Sequence, residues 1–283
     1  MEIALGTVQK PVRRLRKSLK SLPPDPSIEA VHDLRTYTRR VEAIVAALRM
    51  DHEKASRRLL KTIKAVRKAA GAVRDMDVLA GNAITLARNR RDESVLRLLQ
   101  HLHDLRIESA HQLIDAVAEH RKDARRGLRR LSRQIEKWFA GRNPGEVNSP
   151  PGAPHGHTST RLLNELRHWP ELNAGNLHAF RIKVKELRYM LQLSDGADSG
   201  LLDALDRARE QIGDWHDWQE LAKIAEKTLE PHTDRAALKK IAETGDRKFD
   251  QALRAAEEVK ALSLLSPKPA AARAGFAARS SPA

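Results

Sequence analysis

The chain has 283 residues, 41% hydrophobic and 31% charged, which is apolar enough to fold over most of its length and long enough for one or two domains. Lys and Arg outnumber Asp and Glu by 52 to 37, a formal net charge of +15, so an anionic partner is expected. The absence of cysteine excludes a disulfide framework, a thiol nucleophile and a thiolate metal site; no apolar run resembles a signal peptide or approaches the ~18 residues that span a bilayer, so a soluble cytoplasmic protein without membrane contact is expected.

Strand signals are nearly absent and helical periodicity is nearly continuous, which predicts an all-α fold. A first helix is expected over about Val8 to Leu22, stopped by "PPDP", a second over Ile28 to Met50 and a third over Glu53 to Ala70. A long helical region follows from Val78 to Phe139, with breaks expected near Asn89 to Asp92 and near His120. "GRNPGEVNSPPGAPHGHTST", Gly141 to Thr160, lacks periodicity and reads as a flexible connection between an N-terminal half, about 7–140, and a C-terminal half, about 161–264. Helices resume over Thr160 to His168, Gly175 to Leu193, Gly200 to Gln211, Trp215 to Leu229 and Asp234 to Leu264. The tail 265–283 has too little apolar content to fold and is expected to be disordered.

Within "LHAFRIKVKELRYMLQL", the residues His178, Arg181, Lys185 and Arg188 are spaced three, four and three apart, a narrow stripe at about 100° per residue. Leu177, Phe180, Val184, Leu187 and Leu191 lie on one side of it and Ile182, Tyr189 and Leu193 on the other. His32, Arg35 and Arg39 repeat the layout, between Leu34, Val41 and Val45 and the alanines Ala43 and Ala47. A basic stripe bracketed by apolar rows is expected to face an interior groove, where desolvated cations need an anionic counterpart. A third stripe, Lys54, Arg57, Lys61, Lys64 and Lys68, is expected to lie beside the His32 helix in a folded-back hairpin, unless it is a solvated face paired with glutamates. Cations one turn apart rise ~5 Å, close to the stride of alternate phosphates in an extended phosphoanhydride chain.

The chain also repeats itself. "VHDLRTYTRRVE" from Val31 lies over "LHAFRIKVKELR" from Leu177 at an offset of 146, and "GAVRDMDVL" from Gly71 over "GDWHDWQEL" from Gly213 at an offset of 142, with Asp75 over Asp217. Two matches in the same order indicate a duplicated helical unit. The copies differ: Glu42 stands where Arg188 stands, and is expected either to pair with Arg39 or to blunt the groove, while Asp203 and Asp206 stand opposite Lys61 and Lys64.

A His-x-x-Arg-x-x-x-basic helix in each half, followed by a helix expected to end near a Gly and an Asp, resembles the conserved-histidine α-helical domain family, CHAD. The resemblance covers about Val8 to Leu264. It implies two related helical bundles about a pseudo-twofold axis, around a basic central groove that binds inorganic polyphosphate without catalysis, in a protein associated with polyphosphate granules. The groove residues expected are those of the two histidine stripes, which carry the resemblance, and of the third stripe, which spacing alone adds; Asp75 and Asp217 are expected to be carboxylates that orient a groove Arg or His, or else helix caps or surface turns. No cofactor or metal is implied. Many relatives carry a triphosphate-tunnel hydrolase domain, an activity not expected of a chain that opens almost at once on the helical unit.

Other constellations are weaker. The pairs His32-Asp33, His103-Asp104 and His216-Asp217 invite comparison with metal-dependent phosphohydrolases, but Arg35 and Arg39 beside His32 would repel a metal. Trp215 and Trp218 read as core residues, and 4% aromatic content argues against single-strand binding by stacking. Nucleic-acid binding is the second reading, disfavoured because a duplex needs an outward face and not concealed stripes.

Overall fold

A computed structural model describes residues 5–87, 92–141, 155–192 and 198–265. These form α-helices and no strand: α1 (Leu5–Ser21), α2 (Ile28–Ala47), α3 (Lys54–Ile84), α4 (Glu93–Ala140), α5 (His155–Arg167), α6 (Leu177–Gln192), α7 (Ser199–Thr228) and α8 (Arg235–Leu265). The fold is all-α, as the periodicity predicts. The expected tail, from Ser266 onward, and most of the expected linker, 142–154, lie outside the described residues, as do Leu193 and residues 89–91 of the expected break.

The chain divides into two compact units whose boundary is not the linker alone. Of the described residues, unit 1 holds those up to 141 together with His216–Asp246, and unit 2 holds 155–215 and 247–265, so α7 and α8 each contribute to both. In unit 1, α1 to α4 form an antiparallel bundle around Leu15, Leu34, Val41, Ile63, Leu128 and Ile135. A second cluster joins the C-terminal part of α3 and the start of α4 to the 216–246 hairpin through Leu79, Leu98, Leu102, Trp218, Leu221 and Ile241. Asp234 fastens that hairpin: it is buried, accepts from Ser94 Oγ at 2.6 Å and from the Glu230 backbone N–H at 2.9 Å, and pairs with Arg97. Unit 2 packs α5, α6 and its shares of α7 and α8 around Phe180, Val184, Leu187, Leu205 and Trp215.

Local chemistry sets the ends of the helices. Ser27 caps α2 by accepting from the Ala30 N–H at 3.2 Å, and Asp92 caps α4 by accepting from Val95 at 3.3 Å. Helix α2 stops at Ala47, short of the expected Met50, because Arg49 turns left-handed (φ 53°) and the Met50 N–H reaches back to the Val45 carbonyl at 2.9 Å. Helix α5 starts at His155, earlier than expected.

Three expected interruptions are absent. Helix α3 runs through Gly71, α7 runs through Gly213, and α4 runs 48 residues through His120. A mid-helix glycine costs only about 1 kcal/mol relative to alanine, well within what the packing of a long helix supplies. The polar stretch around His120 faces solvent, while Val117, Ala124 and Leu128 keep the apolar register unbroken across it.

Candidate functional site: arginines laid over mid-helix glycines

In unit 1 the seam between α2 and α3 is where the sequence-predicted residues converge. Arg35 projects from α2 onto Gly71 of α3, so closely that a β-carbon on Gly71 would stand 2.8 Å from the Arg35 guanidinium. The glycine predicted to end a helix instead leaves room for an arginine. Arg35 is half-buried and forms no hydrogen bond or ion pair among the described residues. Desolvation holds its guanidinium below the ordinary value; Asp75, one turn beyond Gly71, pulls it back up, while Arg39, Arg67 and Arg74 push it further down. Asp75 presents surface to water, yet the protein crowded around its carboxyl desolvates it and raises its pKa against the opposing pull of Arg35, His216 and Arg74. Lying mid-helix, Asp75 and Asp217 are not caps or turns; Asp75 is an electrostatic neighbour of Arg35. His32 and Arg39 are exposed, and His32 Nε2 lies 3.4 Å from Thr36 Oγ1.

Unit 2 repeats the contact in the seam between α6 and α7. A β-carbon on Gly213 would stand 2.8 Å from Arg181 Nη2, and Arg181 Nε donates to the Arg209 carbonyl at 3.0 Å. His178 is exposed and Lys185 is half-buried. Arg188 differs from the expectation of a groove cation: its Nε lies 2.6 Å from Asp206 Oδ1, and Arg209 Nε donates to the same oxygen at 3.3 Å. Its charge is already matched.

Glu42 likewise has a partner other than the one predicted. It accepts from Arg67 Nε at 3.1 Å, across from α2 to α3, and does not pair with Arg39. Arg67 stands one turn before Gly71, where it reaches Glu42 across the seam, both side chains half-buried. Sequence reasoning missed Arg67, Arg74, Arg209 and the position of His216 beside Asp75. Arg67 and Arg209 are related by the same offset of 142 as the two glycines, so the repeat carried a signal for them.

The expected bracketing of the stripes holds on one side only. Leu34, Val41, Val45, Phe180, Val184 and Leu187 are buried, but Ala43 and Ala47 are exposed and Ile182 is 54% exposed. A helix packed against its neighbours needs one apolar arc, and the second row lies beyond that arc. The third stripe is neither concealed nor glutamate-paired: Lys54, Arg57, Lys61, Lys64 and Lys68 are all exposed and form no ion pair among the described residues. Trp215 packs its ring 5.4 Å from that of Phe249 in the core of unit 2, and Trp218 is buried in unit 1, as core residues should be. Among the described residues no three His, Asp or Glu side chains gather to hold a metal.

The model of the CHAD domain family matches residues 6–226. The chain belongs to the CHAD domain family. The crystal structure of the CHAD domain from the plant Ricinus communis is similar in fold, with a TM-score of 0.55 at 18% identity, over 93% of this chain and 89% of that one. No curated protein matches the sequence. In this CHAD chain the histidine motifs that carried the resemblance fall on α2 and α6, each with its arginine over the glycine of the helix that follows. None of the described helices is long and apolar enough to cross a membrane.

Proposed function

We propose that the chain binds inorganic polyphosphate without catalysis, through His32, Arg35 and Arg39 on α2, His178, Arg181 and Lys185 on α6, and the exposed cations of α3, and that it resides at polyphosphate granules in the cytoplasm. The observation that carries this reading is Arg35: a half-buried guanidinium with five donors, no hydrogen bond or ion pair among the described residues, and a neighbouring glycine that keeps its face clear. Such a group gains most from a multiply charged oxygen anion, because arginine grips two oxygens at once. Lys64 and Lys68 extend the positive field along the α3 side of the same seam, which suits a uniform linear anion with no sequence to read. Asp75 tempers the field at Arg35, so that the positive charge of the seam is partly opposed by the protein itself.

Replacing Arg35 and Arg39 together, or Arg181 and Lys185 together, with alanine should weaken binding of a short polyphosphate at least about tenfold, since each charge-assisted contact is worth ~1.5 kcal/mol or more. Replacing Arg13 and Arg14 should do much less. Equal affinities in calorimetry for all three double variants would overturn the assignment, and release of orthophosphate from polyphosphate by the pure protein would overturn its non-catalytic character.

A further inference from the structure

Most of the chain's net charge lies away from the histidine helices. Helix α1 carries six Lys and Arg and no Asp or Glu, and residues 121–137 of α4 carry eight against two, so these two stretches hold a net +12 of the chain's +15. On α4, Lys122, Arg126, Arg129, Arg130, Arg133 and Lys137 fall within about 100° of arc, directly opposite the buried row of Ala124, Leu128, Leu131 and Ile135. All six are exposed, and none forms an ion pair among the described residues; the same is true of the cations of α1. Of the two nearby acids on α4, Asp123 turns away to Arg58 at 2.9 Å and Glu136 lies beside Gln9 at 3.3 Å. Gln9 also joins α1 to α4, donating to the Ser132 carbonyl at 2.8 Å and accepting from Ser132 Oγ at 2.7 Å, so Arg13 and Arg16 rise on the α4 side of α1. Two basic ridges thus run side by side on the outer surface of unit 1.

We propose that this α1–α4 face is a second polyanion site and that its occupant is double-stranded nucleic acid, held by its phosphates without regard to sequence. The face points outward along its whole length, whereas Arg35, Arg181 and Lys185 of the histidine stripes are half-buried. It extends ~22 Å from Lys122 to Lys137 at helical rise, and packed helices stand about 8–10 Å apart, comparable with the ~12 Å major groove of a duplex. Each ridge can therefore follow one phosphate strand. Four of the six α4 cations are arginines, suited to paired phosphate oxygens. No large apolar side chain is exposed between 121 and 137, so the face lacks what inserts into a bilayer, and it lacks the aromatic platforms that hold single strands.

The test uses the full chain and a mixed-sequence DNA duplex, read by fluorescence anisotropy over a salt series. The variant Arg126→Gln with Arg130→Gln and Arg133→Gln should lose at least about tenfold in duplex affinity, and the slope of log affinity against log salt should fall by ~2 to 3, while short polyphosphate binds as before. Arg35→Ala with Arg39→Ala should leave duplex binding intact, so failure of the polyphosphate reading and failure of this one are separable. The substitutions lie on solvent-facing helix positions, and an unchanged circular dichroism melt confirms the fold. The proposal is overturned if the wild-type protein does not bind the duplex, if the α4 variant keeps its affinity and slope, if the Arg35 variant loses duplex binding equally, or if the α4 variant loses adhesion to phosphatidylserine vesicles in place of duplex binding.

Discussion

The α2–α3 seam of unit 1 and the α6–α7 seam of unit 2 keep the same arginine over the same glycine but carry a nearby ion pair of opposite sense. In the first, the glutamate is on the histidine helix and the arginine on its neighbour, Glu42 to Arg67; in the second, the arginine is on the histidine helix, Arg188 to Asp206. A salt bridge between two helices tolerates either polarity and a shift of one turn along the neighbour, Asp206 standing at the place of Lys64 and not of Arg67, because only opposite charge and reach are needed. The arginine over the glycine does not tolerate such exchange, because its guanidinium needs the space that only a missing side chain leaves. The difference separates what holds the helices in register from what is offered to a ligand.

Breaking the two ion pairs should have the largest effect. Asp206→Lys would set a lysine among Arg188 and Arg209, and should destabilise unit 2 by about 2 kcal/mol, whereas Glu42→Arg, which isolates Arg67 at a partly exposed site, should cost about 1 kcal/mol. Exchanging the ends, Glu42→Arg with Arg67→Glu, should recover most of that second loss. Urea midpoints check this, and a double exchange no more stable than Glu42→Arg alone would show that the pair is not interchangeable.

The sequence disclosed these seams unevenly, for physical reasons. Arg35, Arg181 and their helices were legible because helical periodicity and the repeat are local signals. Gly71 and Gly213 were misread as helix ends because the reason for each glycine is a guanidinium on another helix, more than thirty residues away in the chain. The partner of Glu42 was hidden likewise: Arg39 is one turn away on the same helix, but Arg67 meets Glu42 from across the seam, where packing holds it. Ala43, Ala47 and Ile182 share a face that periodicity alone cannot tell from a second buried flank, since it reports which residues lie together and not whether a neighbour covers them.

Filling the glycines sharpens the comparison further. Gly71→Ala should displace the flexible end of Arg35, which makes no hydrogen bond there, so the helix gains up to about 1 kcal/mol of stability from alanine. Gly213→Ala should displace Arg181 and break its bond to the Arg209 carbonyl, worth about 1 kcal/mol, leaving stability nearly unchanged. Both variants should bind polyphosphate more weakly despite being at least as stable. Thermal melts and calorimetry on the same samples separate the two effects, and undiminished affinity in both would show that the arginines need not lie over the glycines to bind.

The smallest expected effect concerns protons, because Asp75 and Asp234 in unit 1 depart from ordinary carboxylate behaviour in opposite directions. Desolvation raises the Asp75 carboxyl, so the folded chain takes up that proton more readily than the unfolded one. Its contribution to stability grows as pH falls through the raised folded-state pKa and is complete below the ordinary carboxylate value. Asp234 is lowered, first by the Ser94 hydroxyl, against desolvation, and then by the Glu230 N–H and Arg97. Its stabilisation is present above the ordinary value and is lost as pH falls through the lowered one. Acidification should therefore first strengthen unit 1 slightly and then weaken it. Asp75→Asn should remove the first phase alone, and Asp234→Asn should weaken the hairpin at neutral pH and remove the second. Urea midpoints followed from pH 7 downward test both, and a wild-type curve that falls from the outset and that Asp75→Asn makes shallower would mean that the carboxylate beside Arg35 is stabilised by its arginines more than it is hindered by burial.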